Sequence, residues 1–185
     1  MLDVATGTGK LACRLVADNQ AKVIGIDFCS DMLCKAKPRM ASSGGDLATA
    51  MAEFLPFQDS TFDCAIIGFT LRNVTDLEKT LAEMNRVVKK GGRVISLEFS
   101  PPPHNLFGAA YRVYLSTLLP LIGRLMSGSD DAYTYLPQSI KDFRCPKELK
   151  RIMEGVGLDD VQFYRLTLGV VVVHVGTKTQ AGNII

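Results

Sequence analysis

Histidine is scarce in this 185-residue chain: His104 and His174 are the only two, and they lie far apart. Neither a histidine-based metal site nor a Ser-His-Asp triad has support from so few. The five cysteines, Cys13, Cys29, Cys34, Cys64 and Cys145, are an odd number without a C-x-x-C pair. That points away from a disulfide framework or a zinc site and suits a reducing cytoplasm. An excess of one charge is also missing. Lys and Arg number 21 against 19 Asp and Glu, a net charge of +2, too small for the basic face that phosphate neutralisation requires, so no nucleic-acid partner is expected. Long apolar runs are absent too. Residues 106–126 come nearest, but Arg112, Arg124 and Pro120 interrupt them, and the beginning of the chain lacks the basic and then apolar segments of a secretory signal.

What is present is ordinary globular material, 47% hydrophobic and 22% charged, and the length suits one domain over residues 1–185. Residues 1–5 form a short apolar run with one acid. Gly7 and Gly9 follow, and then Leu11, Leu15 and Val16 at helical spacing, which predicts a strand, a tight turn and a helix. Residues 21–26 read as a second strand ending at Asp27, with Ser30 as cap of the helix carrying Met32, Leu33 and Ala36. Residues 47–52 make a weak third strand and residues 62–69 a strong fourth. Residues 77–88 form an amphipathic helix stopped by Gly91-Gly92, and residues 93–99 a fifth strand. An irregular, largely helical insertion is expected over about 101–143. A helix over 147–155 and strands over 161–167 and 170–176 follow, the last two joined tightly at Leu168-Gly169 and so antiparallel. The pattern predicts an α/β fold: a mostly parallel sheet with helices on both faces and an antiparallel hairpin at the end.

A glycine turn directly after a strand aims backbone N–H groups and a helix N-terminus at a ligand. Read as Gly7-x-Gly9-x-x-Ala12, the turn also matches a dinucleotide fingerprint, with Asp27 near the place of a ribose-binding acid. The turn alone therefore leaves the cofactor open. Asp3 tips the choice. A carboxylate just before the glycines repels a pyrophosphate, yet it can accept hydrogen bonds, directly or through water, from the α-ammonium of S-adenosylmethionine (SAM). Asp27 is then expected to hold the ribose hydroxyls of the same cofactor.

These residues carry a resemblance. The strings LDVATGTGK (residues 2–10), GIDFCSDML (25–33), AEFLPFQDSTFD (52–63), FTLRNVTD (69–76), NRVVKKGGRVISLEFSPP (85–102) and YTYLPQSI (133–140) resemble the ubiquinone/menaquinone biosynthesis C-methyltransferase family. The first two are shared by many SAM-dependent methyltransferases; LRNV, LEFS and YTYLPQSI are the specific part. The resemblance implies a Rossmann-like class I methyltransferase fold with a seven-stranded sheet. It also implies SAM contacts from Thr8 between Gly7 and Gly9, from Asp27, from the Met51-Ala52 pair and from Gly68. Met51 stands where the family usually has Asn or Asp, Lys10 where the turn usually ends in Asp, and Arg112 where an acid is usual.

The activity implied is methylation of a ring carbon of a polyprenylated quinol, a demethylmenaquinol or a benzoquinol. Such a carbon attacks only once the neighbouring phenol loses its proton, so a base or oxyanion stabiliser is needed. Arg72 and Asn73 lie just beyond strand four, where open α/β sheets bind ligands. Arg72 is expected to stabilise the phenolate or orient a water, and Asn73 to position the hydroxyl. Tyr133 and Tyr135 are candidates to touch the quinone ring, and residues 106–126 to shield the tail. A cytoplasmic chain is expected, with room for peripheral contact at the inner face of a membrane and for a homodimer or a quinone-biosynthesis assembly. The helices that family members carry before strand one are expected to be missing. Rival readings are a methyltransferase for another small phenol or lipid, a weakly active partner-binding subunit and, third, a dehydrogenase.

Overall fold

Short β-rich runs alternating with amphipathic helices assemble, in a computed structural model that describes residues 1–19, 21–102, 108, 109, 111 and 130–179, around one sheet. In chain order the elements are β1 (Leu2–Val4), α1 (Lys10–Asn19), β2 (Ile24–Asp27), α2 (Ser30–Ser43), β3 (Asp46–Thr49) and β4 (Phe62–Gly68). A 3-10 turn (Leu71–Asn73), α3 (Leu77–Val87), β5 (Val88–Phe99), α4 (Asp130–Asp142), α5 (Pro146–Gly155), β6 (Leu158–Leu166) and β7 (Val171–Lys178) follow. The strand order is β3-β2-β1-β4-β5-β7-β6. The first five strands pair in parallel, and β7 pairs antiparallel with both β5 and β6. Strand order reverses between β1 and β4, and the crevice beyond their C-terminal ends is where such sheets bind ligands.

The core explains why β1 works with three residues. Leu2 and Val4 are fully buried in one apolar cluster with Ala65 and Ile67 of β4, Leu81 and Met84 of α3, and Leu149 and Met153 of α5. A second cluster joins Ala12 of α1 to Val23 and Met40. Each buried Leu or Met contributes roughly 1.5–3 kcal/mol.

Several elements depart from expectation. The helix before β5 ends at Val87, and Gly91-Gly92 lie inside β5 rather than stopping the helix. The ladder jumps from Phe62 opposite Val88 to Cys64 opposite Arg93, so the intervening residues bulge. Gly91 takes φ 76°, and a Cβ at Gly92 would lie 2.6 Å from the Asp63 carbonyl. The glycines therefore serve a bulge. Ser30 does not cap α2: Cys29 is the N-cap and no side-chain cap bond forms. β3 starts at Asp46 and stops at Thr49, short of the expected 52. Of the insertion, α4 is helical, and Tyr111 packs with Ile140. Apart from 108, 109 and 111, residues 106–126, Arg112 included, lie outside the described residues. Among the described residues no helix is long and apolar enough to cross a membrane.

Candidate active site

Beyond β1 the chain passes through Ala5 (φ 55°), Gly7 (φ 56°) and Gly9 (φ 75°). Glycine takes these angles freely, whereas Ala5 is held there at a cost. The turn is tied down by Thr6 N–H donating to Ile26 O at 2.7 Å and Gly9 N–H donating to Thr6 O at 3.0 Å. A methyl group on Gly7 would meet no atom within 4 Å, whereas one on Gly9 would press on Ala36 at 3.1 Å. Gly7 thus faces open space and Gly9 seats the turn on α2. The Thr8 carbonyl accepts from Arg39 at 2.9 Å. Lys10, the first residue of α1, is exposed.

Asp3 sits beneath this turn, 1% exposed, and Oδ2 accepts from the Thr6 hydroxyl at 2.6 Å. Burial raises its pKa to about 6, with the Thr6 hydroxyl and the Ala12 N–H opposing the rise. Asp27, at the end of β2, accepts from Gly7 N–H through Oδ2 at 2.8 Å and from Cys29 N–H through Oδ1 at 2.9 Å. One carboxylate therefore fixes both the glycine turn and the entry to α2.

A cleft of about 330 Å³ opens here, lined by Ala5, Asp27, Phe28, Met51, Ala52, Glu53, Thr70 and Asn73 among others. The structure brings together Asp27, Met51, Ala52 and Asn73 of the predicted residues. Gly7, Thr8, Gly9 and Gly68 are not part of that lining, and stand at the ends of β1 and β4. A larger groove of about 560 Å³ runs between α2 and the edge strand β3, and no predicted site residue lines it.

After Gly68 the chain turns at Phe69 (φ 58°), whose N–H donates to Leu97 O at 2.7 Å and whose ring lies 4.8 Å from that of Phe99. The 3-10 turn follows. Arg72 does not line the cleft. Its Nη1 forms an ion pair with Oε1 of Glu98 at the end of β5 and donates to Phe69 O at 2.6 Å. Burial raises the Glu98 pKa, and Arg72 opposes that rise. Asn73 Oδ1 accepts from the Tyr135 hydroxyl at 2.8 Å. Arg72 and Tyr135 share a second hollow of about 280 Å³ with Phe143. Tyr133 lies in α4, its side chain outside the described residues.

Sequence reasoning missed three residues. Phe28 follows Asp27 directly and is 73% exposed on the cleft; an aromatic immediately after a strand-ending acid is the signal. Glu53 is buried and accepts from Thr75 N–H at 2.9 Å, linking the chain after β3 to the chain after β4. Glu98 is an acid inside an apolar strand, which requires a partner on energetic grounds. Cys64 lies toward the other end of β4, and burial pushes its thiol up to about 11, as befits an inert filler.

The chain matches known proteins along most of its length. Residues 1–178 match the ubiE/COQ5 methyltransferase family. The chain is 43% identical to a demethylmenaquinone methyltransferase of Thermus thermophilus, covering 96% of this chain and 82% of that protein. It is likewise 43% identical to the ubiquinone/menaquinone biosynthesis C-methyltransferase UbiE of Teredinibacter turnerae, over 96% and 74%. Among solved structures, a SAM-dependent methyltransferase of Thermotoga maritima superposes with TM-score 0.70 at 23% identity, over 96% of this chain and 81% of that one. The phosphoethanolamine N-methyltransferase 2 of Haemonchus contortus, solved with S-adenosylhomocysteine, gives 0.72 at 16% identity, over 97% and 48%. At these identities the two structures establish the shared fold.

Proposed function

The chain belongs to the ubiE/COQ5 methyltransferase family, and on that premise we propose that it transfers a methyl group from SAM to a ring carbon of a polyprenylated quinol, demethylmenaquinol or the benzoquinol of ubiquinone synthesis. One juxtaposition supports this reading above others. Asp27 and Met51-Ala52, assigned to the cofactor, line the same cleft as Asn73, assigned to the substrate, and Asn73 is hydrogen-bonded to Tyr135 of the neighbouring hollow.

The residues present fit the cofactor. Space is open beside Gly7, and each Asp27 oxygen, with one N–H donor already bound, keeps lone-pair capacity for a ribose hydroxyl. Phe28 and Met51 offer apolar surface for the adenine, with backbone at Ala52 replacing the usual amide or acid. Thr8 and Gly68 border the ligand, and Asp3 contributes its charge from beneath the turn. When bound, SAM supplies an electrophilic methyl group on a sulfonium.

The chain's own task is to prepare the quinol. Tyr135 frames the ring, with Tyr133 assigned to it by the family resemblance alone, and Asn73 orients the hydroxyl next to the reacting carbon. Arg72, held at the second hollow, stabilises the negative charge left when that hydroxyl gives its proton to water, an effect on the order of 10²–10³ in rate for one donor. A polyprenyl tail partitions into lipid, so the reading includes peripheral contact with a membrane from the cytoplasmic side.

The deciding experiment incubates the purified chain with methyl-labelled SAM and either demethylated quinol. Label on the ring carbon is expected. Binding of S-adenosylhomocysteine (SAH) without labelling of either quinol would move the substrate to another phenol or lipid.

A further inference from the structure

We propose that Glu98 is the counter-ion that keeps the Arg72 cation from opposing the sulfonium of SAM, and so acts as a positioning residue for cofactor binding. The inference rests on the methyltransferase reading above and concerns a residue that reading does not use.

The lining of the cleft carries charge of one sign. Among the described residues, those of its lining that ionise are Asp27 and Glu53, both acids, and Asp3 lies buried beneath the adjoining turn. Such a cleft suits a cationic ligand. Arg72 brings a shielded positive charge close to it: it directly precedes Asn73, which lines the cleft, and its side chain is only 9% exposed. A guanidinium so placed and so shielded from water acts over distance on any charge bound nearby. Glu98 answers it, 2% exposed and paired with Arg72 Nη1.

The pair is built to stay together. Glu98 Oε1 also accepts from Phe99 N–H at 2.9 Å, Arg72 also donates to Phe69 O, and the guanidinium lies 5.4 Å from the centroid of the Phe99 ring. The contact is through one nitrogen and one oxygen, leaving Arg72 Nε and Glu98 Oε2 buried without a hydrogen-bond partner among the described residues. A purely structural Arg–Glu pair would gain from engaging both. Charge compensation needs only proximity, which this pair has.

SAM and SAH differ at sulfur by a methyl group and one positive charge, so their affinity ratio reads the field at that point. Calorimetric titration of both ligands into the full chain and its variants tests the proposal. Glu98→Gln keeps the shape and removes the charge, and it should weaken SAM relative to SAH severalfold, because a unit charge removed near a shielded cation acts on one ligand and not on the other. Arg72→Gln should shift the ratio the opposite way, and the double variant should return it close to the parent value. Equal weakening of both ligands in Glu98→Gln would reduce Glu98 to a structural residue and overturn the proposal. Should Glu98→Gln not fold, Arg72→Gln decides alone: an unmoved ratio overturns the proposal. A parent chain that bound neither ligand would overturn the methyltransferase reading with it, whereas binding of both with unmoved ratios would overturn only the role of Glu98.

Discussion

Asp3 shows what a charge beneath the glycine turn does to the folded state. Its carboxyl titrates at about 6 because burial outweighs the Thr6 and Ala12 hydrogen bonds, against roughly 4 in an unfolded chain. The folded form binds the proton more tightly, so stability falls as pH rises from about 4 to about 6. Asp3→Asn keeps an acceptor for the Thr6 hydroxyl and removes the titration. At pH 7–8 it should add up to about 3 kcal/mol to the unfolding free energy, and the gain should vanish below about pH 4. Urea unfolding at both pH values checks this, and a gain independent of pH would exclude Asp3 as its source. Retaining such an acid makes sense beside a cationic ligand. Asp27→Ala is expected to weaken SAM by about 1.5–3 kcal/mol, the scale of a hydrogen bond to a charged group, and unchanged affinity in calorimetry would remove Asp27 from the site. Asp3, the glycines and Asp27 were legible because they lie within or close after short strands, near their C-terminal ends. The Arg72–Glu98 pair was not, since the two residues meet only through the pairing of β4 with β5.

At the scale of elements, the connection from β3 to β4 bears on function because it carries Met51 and Ala52 yet forms no helix. Residues of α3 hold it in place. The Leu55 N–H donates to Glu83 Oε2 at 2.8 Å, while Arg86 donates to the carbonyls of Leu55 (3.0 Å) and Phe57 (2.8 Å) and to Asp59 (2.7 Å). Hydrogen bonds to Glu83 and then Asp59 hold the Arg86 pKa well above its ordinary value. Removing this side chain frees two carbonyls and two acids at once. Arg86→Ala should therefore cost about 2 kcal/mol in stability and weaken SAM although Arg86 does not line the cleft. Parallel thermal unfolding and titration would show both effects, and lost stability with unaltered SAM affinity would confine Arg86 to the fold. Periodicity located α3 but not its clamp. Which face of a helix meets which loop depends on tertiary packing, as does the bulge at Gly91-Gly92, where a helix stop and a strand bulge look alike in sequence.

Across the whole molecule, the parallel half of the sheet that carries the cleft meets the antiparallel half at the pairing of β5 with β7. Alternation made the parallel sheet legible and the tight Leu168-Gly169 connection made the hairpin legible. The order of strands, and with it the point of reversal, depends on pairing across the fold. His174 sits at the junction of the two halves. It lies opposite Ser96 of β5 and Phe163 of β6 in the ladder, its ring is 5.5 Å from that of Phe163 and its Nε2 is 2.9 Å from the Pro146 carbonyl at the start of α5, so its side chain links β7 to β6 and to a helix. Burial lowers its pKa, and the Pro146 contact only partly offsets this. The folded state thus binds a proton on His174 less readily than the unfolded chain. Its contribution is fully present above about pH 6.5 and is lost as pH falls through the lower folded value. His174→Gln retains an N–H for Pro146 and cannot titrate. At pH 7.5 the variant should be less stable by about 1 kcal/mol, the usual scale for one imperfectly replaced hydrogen bond. Between pH 6.5 and 5 it should lose less stability than the parent, because Asp3 acts equally in both chains and cancels from the comparison. Thermal unfolding of the two chains at several pH values measures the difference directly, and parallel curves would mean that the junction does not sense protons through His174.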